Sequence, residues 1–539
     1  MSGPGLAPAR MHQALAAATG SGAEPAILAP GNFVTAGYLQ LEHAFDTAFG
    51  AALNPLKHLG AIAFLLFWLL ALSGIILYVV IDTSAQGAYR SIDQLARAPL
   101  GLGSVLRGLH RYGADAFVLV MLAHLAREWL RGRYAGFRRF TWLTGVPLLP
   151  LAFVCGIGGF WLCWDVLAQF SATATAEWLD ALPVFSTPLA RNFLAGGHLS
   201  DRLFSLLVFV HLGLPLLLVF GLWVHIQRLS RAEVFPPWAT ALGTVLALLG
   251  LAAALPVRSQ GPADLAVVPA SVALDWILLF VHPLTAAISA QGVWALLGAA
   301  LLLLFALPAF SRRALAPVVV VDPANCNGCR RCFDDCPYAA IAMVPHPNGR
   351  RGAQLAQVRP ELCASCGICV GACPSSTPFR STEVLLTGID MPHMPIDALR
   401  RRLAQALSAR PAGSCIVVFG CNHGARVAAV AGADVLSFSL ECIGMLAPSF
   451  IDYALRDGAM GVLVSGCREG GCEYRLGQRW TAQRLHGERE PHLRESVPRR
   501  SWNVAWADAG DEATLRAALD RLRADAAAGA APPAIEASA

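Results

Sequence analysis

Charge is scarce in this chain. Only 14% of its 539 residues are charged while 55% are hydrophobic, and the formal net charge is only +5. So small a positive excess does not favour nucleic-acid binding, and the composition is that of a membrane protein with a soluble part. The G-x-G-x-x-G fingerprint is absent, so no flavin or nucleotide site is predicted on this chain. Residues 1–30 lack a basic segment leading into an apolar one, so no secretory signal is predicted.

Cysteine is nearly missing from the first 320 residues. That part contains only Cys155 and Cys163, which lie in an apolar stretch and are predicted to be packing residues. The other thirteen of the 15 cysteines follow in clusters typical of metal sites rather than disulfides. The second half is therefore expected in a reducing compartment.

Long apolar runs are present, and six of them are long enough to cross a bilayer. They are residues 59–81, 112–130, 143–161, 204–226, 239–257 and 291–310. Arginines cluster after the second, fourth and sixth runs, although the opposite loops also hold some. The positive-inside rule then places those ends, both termini and the cysteine-rich half on the cytoplasmic side of a prokaryotic inner membrane.

Four histidines in these runs form two pairs of equal spacing. His110 and His124 are 14 residues apart, and so are His211 and His225. Fourteen residues return to nearly the same helix face and rise roughly 21 Å, which fits a hydrocarbon core of about 30 Å. Two such helices facing each other would form two bis-histidine sites, and imidazole is an axial ligand of haem iron. The pattern predicts two haems b.

Four glycines repeat the same period in two other runs. Gly60 and Gly74 are 14 residues apart, as are Gly145 and Gly159. The matching period predicts contact with the flat macrocycle, where a Cβ would clash. The alternative is that they are small residues for helix packing.

Residues 40–235 resemble the b-type cytochrome of cytochrome bc complexes. The resemblance rests on RGLHRYGADAFVLVMLAHLAR, TWLTGVPLLPLAFVCGIGGFWLCWD and HLGLPLLLVFGLWVH. It implies that His110 and His211 hold the haem nearer the outer face, and that His124 and His225 hold the haem nearer the cytoplasm. It also implies that Arg107 pairs with a haem propionate, the alternative being a surface arginine.

The chain departs from that family at its quinone sites. The family's Pro-Glu-Trp-Tyr motif is replaced by LDWI, in which Asp275 is a candidate proton acceptor or a loop carboxylate. His58 precedes Gly60 and is either a quinone hydrogen-bonding group or a helix-start histidine. Cys163 stands where the family has a proline. Rieske-type Cys/His boxes are absent, so electron bifurcation to a high-potential partner is not predicted.

Two cysteine runs match the bacterial eight-iron ferredoxin pattern, C-x2-C-x2-C-x3-C-P. Three cysteines of each run hold one [4Fe–4S] cluster, and the fourth binds the other cluster. The first cluster is assigned Cys326, Cys329, Cys332 and Cys373. The second is assigned Cys363, Cys366, Cys369 and Cys336. Two closed runs of this kind argue against zinc.

Four further cysteines follow apolar, strand-like runs: Cys421, Cys442, Cys467 and Cys472. The stretches GADVLSFSLECIGML and GAMGVLVSGCREGGCEYRLGQRW resemble the iron–sulfur subunit of methyl-viologen-reducing hydrogenase. The resemblance implies one [2Fe–2S] cluster, with zinc or no metal as alternatives. The family's first Cys-x-x-Cys pair is incomplete here, ending at Gly424, and Cys415 is a weaker candidate.

The predicted architecture is multidomain. An all-α transmembrane bundle of about six helices with a di-haem four-helix core precedes a ferredoxin-like 2[4Fe–4S] domain and a small α/β iron–sulfur domain. The assigned segments are 1–40 (flexible), 41–315 (membrane), 316–380 (ferredoxin), 381–411 (connector with a helix at 396–409), 412–507 (α/β) and 508–539 (helix and tail).

These resemblances together imply an electron-transfer subunit in the membrane lipid. It would link quinone or quinol to a soluble flavin/iron–sulfur partner like the flavin subunit of heterodisulfide reductase. A hydrogenase, formate dehydrogenase or NAD(P)H-oxidising subunit would complete that partner, and the cytochrome resemblance implies a homodimer. The alternative is a membrane anchor whose haems are structural or absent.

Overall fold

The computed structural model describes residues 33–183, 201–310, 317–347, 353–380 and 383–530. Its internal contacts divide the chain into two units, one within residues 37–314 and the other containing the described residues after 315. Each unit is described by itself.

The first unit is helical. Its helices are α1 Phe33–Phe49, α2 Leu59–Val80, α3 Ala88–Ala96, α4 Leu102–Leu130, α5 Arg139–Gly145, α6 Leu148–Trp161, α7 Val166–Asp180, α8 Asp201–Ile226, α9 Trp238–Ala254, α10 Val281–Ile288 and α11 Ala290–Ala306. Within the described ranges, four helical stretches are long and apolar enough to cross a membrane. They are Leu59–Val80, Gly136–Trp161, Phe204–Ile226 and Ala290–Phe310.

The other two predicted spans take a different form. The second lies in α4, a 29-residue helix that also carries Arg107, Arg111 and Asp115. Arg111 and Asp115 form an ion pair of 2.7 Å one turn apart, which offsets part of the cost of charge in an apolar helix. The fifth lies in α9, whose 17 residues make it shorter than a full span.

Helix α4 lies at the centre of the bundle. It packs along α2 and α9 and contacts α6, while α8 packs on α5 and α6. The side chains that fill the space between them are apolar and buried, including Leu66, Phe117, Val118, Leu148 and Leu218. This packing places two histidine-bearing helices, α4 and α8, in one bundle with the glycine-bearing helices α2, α5 and α6.

The second unit begins with the ferredoxin segment. Its strands pair as two antiparallel ladders: β1 Val320–Val321 with β4 Ile389–Asp390, and β2 Ile341–Pro345 with β3 Gln354–Val358. Each cysteine run contains one short helix, which includes its third cysteine and ends before its fourth: α12 Arg331–Asp335 and α13 Ile368–Ala372. Because β4 lies beyond residue 380, part of the predicted connector completes this segment.

A four-stranded parallel sheet of order β6-β5-β7-β8 forms the C-terminal segment. The strands are β5 Ile416–Cys421, β6 Val435–Leu440, β7 Gly461–Gly466 and β8 Trp502–Trp506. The helices around it are α14 Ile396–Ser408, α15 Ser449–Arg456, α16 Gly477–Leu485 and α17 Glu512–Ala530. Both central strands are buried along their whole length, as parallel strands covered on two faces require.

Two helices placed outside this domain by the sequence belong to its core. Helix α14 begins at the predicted residue and buries Leu399, Leu403 and Leu407, so it is a packed element rather than a linker. Helix α17 buries Leu515 and Leu519 on the other side of the sheet. The boundary drawn at 507 therefore divides a packed core.

The two iron–sulfur segments share one hydrophobic core. Its members come from the ferredoxin segment, such as Val319, Ile341 and Val370, and from the α/β domain, such as Phe419, Leu446 and Val464. Burial of such side chains is the main stabilising contribution to folding, so these two segments form one packed body.

Candidate functional site

The four spaced histidines lie on α4 and α8. The rings of His110 and His211 lie with centroids 6.4 Å apart and an angle of 69° between their planes. His124 and His225 likewise lie within electrostatic reach of each other. An imidazole nitrogen binds a metal at about 2.0 Å, so two ligands on opposite sides of one ion have nitrogens about 4 Å apart and ring centres farther apart. The 6.4 Å spacing leaves room for an ion between the first pair.

Contacts from the neighbouring helices orient three of these rings, those of His110, His211 and His225. Nδ1 of His211 donates to the backbone carbonyl of Cys155 at 3.0 Å. Nδ1 of His110 lies 3.0 Å from Oγ of Ser73, and Nδ1 of His225 lies 3.4 Å from Oγ1 of Thr144. Contacts of this kind select the tautomer that leaves Nε2 free to bind a metal.

Each of the four spaced glycines faces one of the four histidines. The distances from a Cβ built on the glycine to Cε1 of the histidine are 3.3 Å for Gly60–His124, 3.0 Å for Gly74–His110, 2.8 Å for Gly145–His225 and 2.9 Å for Gly159–His211. The nearest protein group at each of these positions is the imidazole, and the contact with a macrocycle stays a prediction. The glycines let each ring lie against the neighbouring helix backbone.

We expect alanine at Gly159 to weaken haem retention. Its Cβ would lie 2.9 Å from Cε1 of His211, so the ring or a helix must shift at a cost of about 1–3 kcal/mol. The adjacent Gly158 is a matched control, since a Cβ there meets nothing within 4 Å. The haem-to-protein ratio, measured against temperature, should fall earlier for Gly159→Ala than for Gly158→Ala. Equal curves would contradict this role of the glycine.

A cavity of about 390 Å³ surrounds the outer histidine pair. His110, His211 and Arg107 line it. Nη1 of Arg107 is buried and has no hydrogen-bond partner among the described residues, and Nη2 makes only a 3.9 Å contact with Sγ of Cys163. A buried cation without an acceptor suits an anionic group, so these residues fit a haem whose propionate reaches Arg107.

Asp275 lies at the wall of the same cavity. Its Oδ1 accepts hydrogen bonds from the backbone N–H groups of Ile277 and Leu278 at 2.8 and 2.7 Å. Its Oδ2 forms an ion pair with Arg111, whose guanidinium also lies 4.4 Å from the ring centroid of Phe160. The carboxylate thus caps a turn, which fits the loop-carboxylate alternative, and it pairs with a cation that the sequence did not indicate.

His58 lies at the start of α2. Its Nε2 is 2.9 Å from the backbone carbonyl of Ala52, six residues earlier in the chain. This contact closes the turn that leads into the helix and supports the interpretation of His58 as a helix-start residue.

The fourth cysteine of each ferredoxin run lies beside cysteines of the other run. Cys326, Cys329, Cys332 and Cys373 line one small cavity. Cys363, Cys366, Cys369 and Cys336 form the second electrostatically interacting set. Burial, together with the neighbouring cysteines, raises the pKa of Cys366 and Cys369 well above the usual value of a thiol. Thiolates in such a place need the positive charge of bound iron, so the donor set fits a cubane cluster.

The third cysteine set lies at the carboxyl edge of the parallel sheet. Cys421 ends β5, Cys442 follows β6, and Cys467 follows β7. Sγ of Cys421 is 3.9 Å from Sγ of Cys467, and Cys472 lies beside both Cys442 and Cys467. All four are buried. The four sulfurs gather in one place, as a shared metal centre requires.

The residues around these four cysteines leave space for their sulfurs, and Cys415 does not belong to the set. A Cβ on Gly477 would lie 2.2 Å from Sγ of Cys442, so only glycine admits that sulfur. Cys415 is buried at the opposite end of β5, away from the four sulfurs. His423, which the sequence did not single out, donates its backbone N–H to Sγ of Cys421 at 3.4 Å, and its ring lies 3.3 Å from Glu441.

Known proteins match this chain in three consecutive segments. Residues 45–232 match the family model of cytochrome b/b6/petB, residues 325–377 that of the 4Fe-4S dicluster domain, and residues 416–526 that of the delta subunit of methyl-viologen-reducing hydrogenase. The third match extends into α17, in agreement with the packing of that helix.

Two individual proteins are similar to part of this chain. Cytochrome b6 of Tupiella akineta is 29% identical over 184 residues, which are 33% of this chain and 83% of that protein. A solved structure of a hyperthermophilic respiratory Complex III aligns at 19% identity with a TM-score of 0.40, covering 50% of this chain and 80% of that chain. The family matches and the four apolar spans support a multi-pass membrane electron-transfer subunit. The chain is a fusion of a cytochrome b/b6 segment, a 4Fe-4S dicluster segment and a segment of the hydrogenase delta-subunit family, in that order.

Proposed function

We propose that this chain carries electrons between the membrane quinone pool and a soluble cytoplasmic flavin/iron–sulfur enzyme. The observation that carries the proposal is the presence, on one chain, of two oriented histidine pairs and three gathered cysteine sets. The protein's part in such a chain of centres is to position them, insulate them and tune their potentials.

The membrane segment would hold two haems b. His110 and His211 would bind the outer haem with Arg107 at a propionate, and His124 and His225 would bind the inner one. Haem iron supplies one-electron redox chemistry when bound there. The chain's own contribution is the fixed orientation of the rings by their Nδ1 contacts and by the glycines opposite them. Asp275 is proposed as the quinol proton acceptor, in which case proton uptake must break its ion pair with Arg111.

The second unit would hold two [4Fe–4S] clusters and one [2Fe–2S] cluster. Its partner is proposed from the delta-subunit match to be a flavin protein like that of heterodisulfide reductase. A hydrogenase, a formate dehydrogenase or an NAD(P)H-oxidising subunit would supply or take up the electrons. We place the iron–sulfur domains on the cytoplasmic side of a prokaryotic inner membrane and propose a homodimer.

The test is anaerobic purification of the full chain, with haem and iron counts and visible spectra during addition of a reduced quinone analogue. We expect about two haems and about ten cluster irons per chain, and haem bands that grow with quinol. Asp275→Asn should retain both haems and slow their reduction by quinol. Full clusters with haems that are absent or unresponsive to quinol would overturn the proposal in favour of a membrane anchor.

A further inference from the structure

Side chains of the α/β domain fix the backbone on both sides of Cys336, a cysteine of the ferredoxin segment. Residues 335–337 of the ferredoxin segment contain Cys336, which is assigned to that cluster. The indole Nε1 of Trp480 donates to the backbone carbonyl of Asp335 at 3.2 Å. Nη1 of Arg475 donates to the backbone carbonyl of Pro337 at 3.1 Å. Both donors lie in or just before α16, so this helix fixes the segment on both sides of the cysteine.

Arg484, near the end of α16, makes the most extensive of these contacts. Its side chain is fully buried, at 0% exposure. Nη1 donates to the carbonyl of Gly444 at 2.9 Å, two residues after a cysteine of the third set. Nη2 pairs with the carboxylate of Asp335 and lies 3.5 Å from the carbonyl of Ile368, between two cysteines of the second cubane. The guanidinium of Arg484 thus contacts loops that carry cysteines of the second cubane and a loop that carries a cysteine of the third set.

Three glycines allow these loops to approach each other closely. A Cβ on Gly371 would lie 2.2 Å from the carbonyl oxygen of Gly444. A Cβ on Gly444 would lie 3.1 Å from Cα of Gly477. The backbones of these loops therefore approach closely at Gly371, Gly444 and Gly477, and the side chain of Ile368 packs beside them, 2.8 Å from the Cβ position of Gly444.

The charges at this junction sum to one positive charge. Arg484 and Arg489 both pair with Asp335, which is 3% exposed. Burial lowers the pKa of Arg484, whereas the charges of Asp335 and Cys442 act in the opposite direction. Because the site is shielded from water, its net positive charge acts strongly on nearby groups.

We propose that Arg484 is the positioning residue that couples the second cubane to the third centre, both by fixing their loops and by stabilising their reduced forms. This rests on the proposed function, since it presumes that both centres are redox-active. The step itself is the transfer of one electron between the two centres, one being oxidised as the other is reduced, with no bond made or broken. Each reduction adds negative charge, which the guanidinium stabilises.

The experiment is an EPR-monitored titration of the full chain with dithionite. For Arg484→Gln we expect the reduced-to-oxidised ratio of the second cubane and of the third centre to fall about tenfold at fixed potential. This change is equivalent to a potential lower by about 59 mV. The first cubane should be less affected. Arg484→Lys should remain near the wild-type potentials because it retains the charge, but weaken magnetic coupling between the two centres because it lacks the planar fork.

Two further variants separate charge from structural damage. Asp335→Asn leaves two guanidiniums without their carboxylate, so it should shift the same two centres in the opposite direction. Arg400→Gln is the matched control, because Arg400 is also buried, pairs with Asp397 and binds a backbone carbonyl, that of Glu383.

Unchanged potentials in Arg484→Gln, or equal shifts in Arg400→Gln, would overturn the proposal. If Arg484→Gln fails to assemble its clusters, the sign of the shift in Asp335→Asn decides instead. The titration uses dithionite rather than quinol as the reductant. Haems that quinol does not reduce would therefore contradict the proposed function without affecting the test of Arg484.

Discussion

Alanine at His211 is expected to remove one haem and leave the other in place. The haem count should fall from about two to about one per chain, because the outer site would lose one of the two histidines that would hold its haem, together with the ring contact to Cys155. The inner pair, His124 and His225, lies 14 residues further along each helix and should retain its haem. A pyridine haemochrome assay of the purified variant measures the change directly.

His282 supplies the matched control for that experiment. It is a buried histidine of the same membrane unit, at 5% exposure, whose Nε2 lies 3.0 Å from Oγ of Ser171. It belongs to neither pair, so His282→Ala should retain about two haems. Loss of one haem from both variants would show that the bundle, rather than the ligand, had failed. Two haems in His211→Ala would refute the assignment of the outer pair.

Alanine at Cys336 is expected to destroy the second cubane, although Cys336 stands in the first run. Its sulfur belongs with Cys363, Cys366 and Cys369. Cluster iron should fall from about ten to about six per chain, and the surviving cubane signal should be that of the first cluster. Cys373→Ala should instead remove the first cubane and leave the signal of the second, because Cys373 lines the cavity of the first set.

The control for both cysteine variants is Cys415→Ala. Cys415 is as buried as the ligands, at 1% exposure, but lies outside all three sets. Its iron count should equal that of the wild type. If Cys336→Ala and Cys373→Ala instead removed the same cubane, the crossed assignment of the fourth cysteines would be wrong.

The predicted type and order of the three segments are confirmed, and they could be predicted because their signals are local in the sequence. A helical cytochrome b-like segment precedes a 4Fe-4S segment and an α/β domain with a parallel sheet. The histidine pairs could be found because a spacing of 14 residues encodes one helix face. The cysteine runs could be found because a cluster takes three ligands from a short loop.

Contacts between distant residues could not be predicted in the same way. The glycine period was visible, but only the folded bundle shows that each glycine faces an imidazole. The ion pair of Arg111 with Asp275 joins residues 164 positions apart, and no periodicity encodes such a partner. Arg484 was hidden for the same reason, since its partners lie in two other segments.

Domain boundaries were drawn from changes in composition, which tertiary packing does not follow. Helix α14 is amphipathic and rich in arginine, as a surface connector would be, yet Leu399 and Leu403 anchor it in the core. Helix α17 is rich in alanine, but Leu515 and Leu519 are buried against the sheet. Only the folded sheet shows which face of each helix has a partner.

The shared core of the two iron–sulfur segments has a consequence for turnover. Val370 and Leu446 belong to one continuous apolar interior, so neither segment can swing away from the other without exposing that interior to water. A ferredoxin segment that shuttles on a tether relative to the α/β domain is therefore incompatible with this arrangement. Electron exchange between the centres of these two segments should proceed without a mechanical step, so its rate should not respond to solvent viscosity.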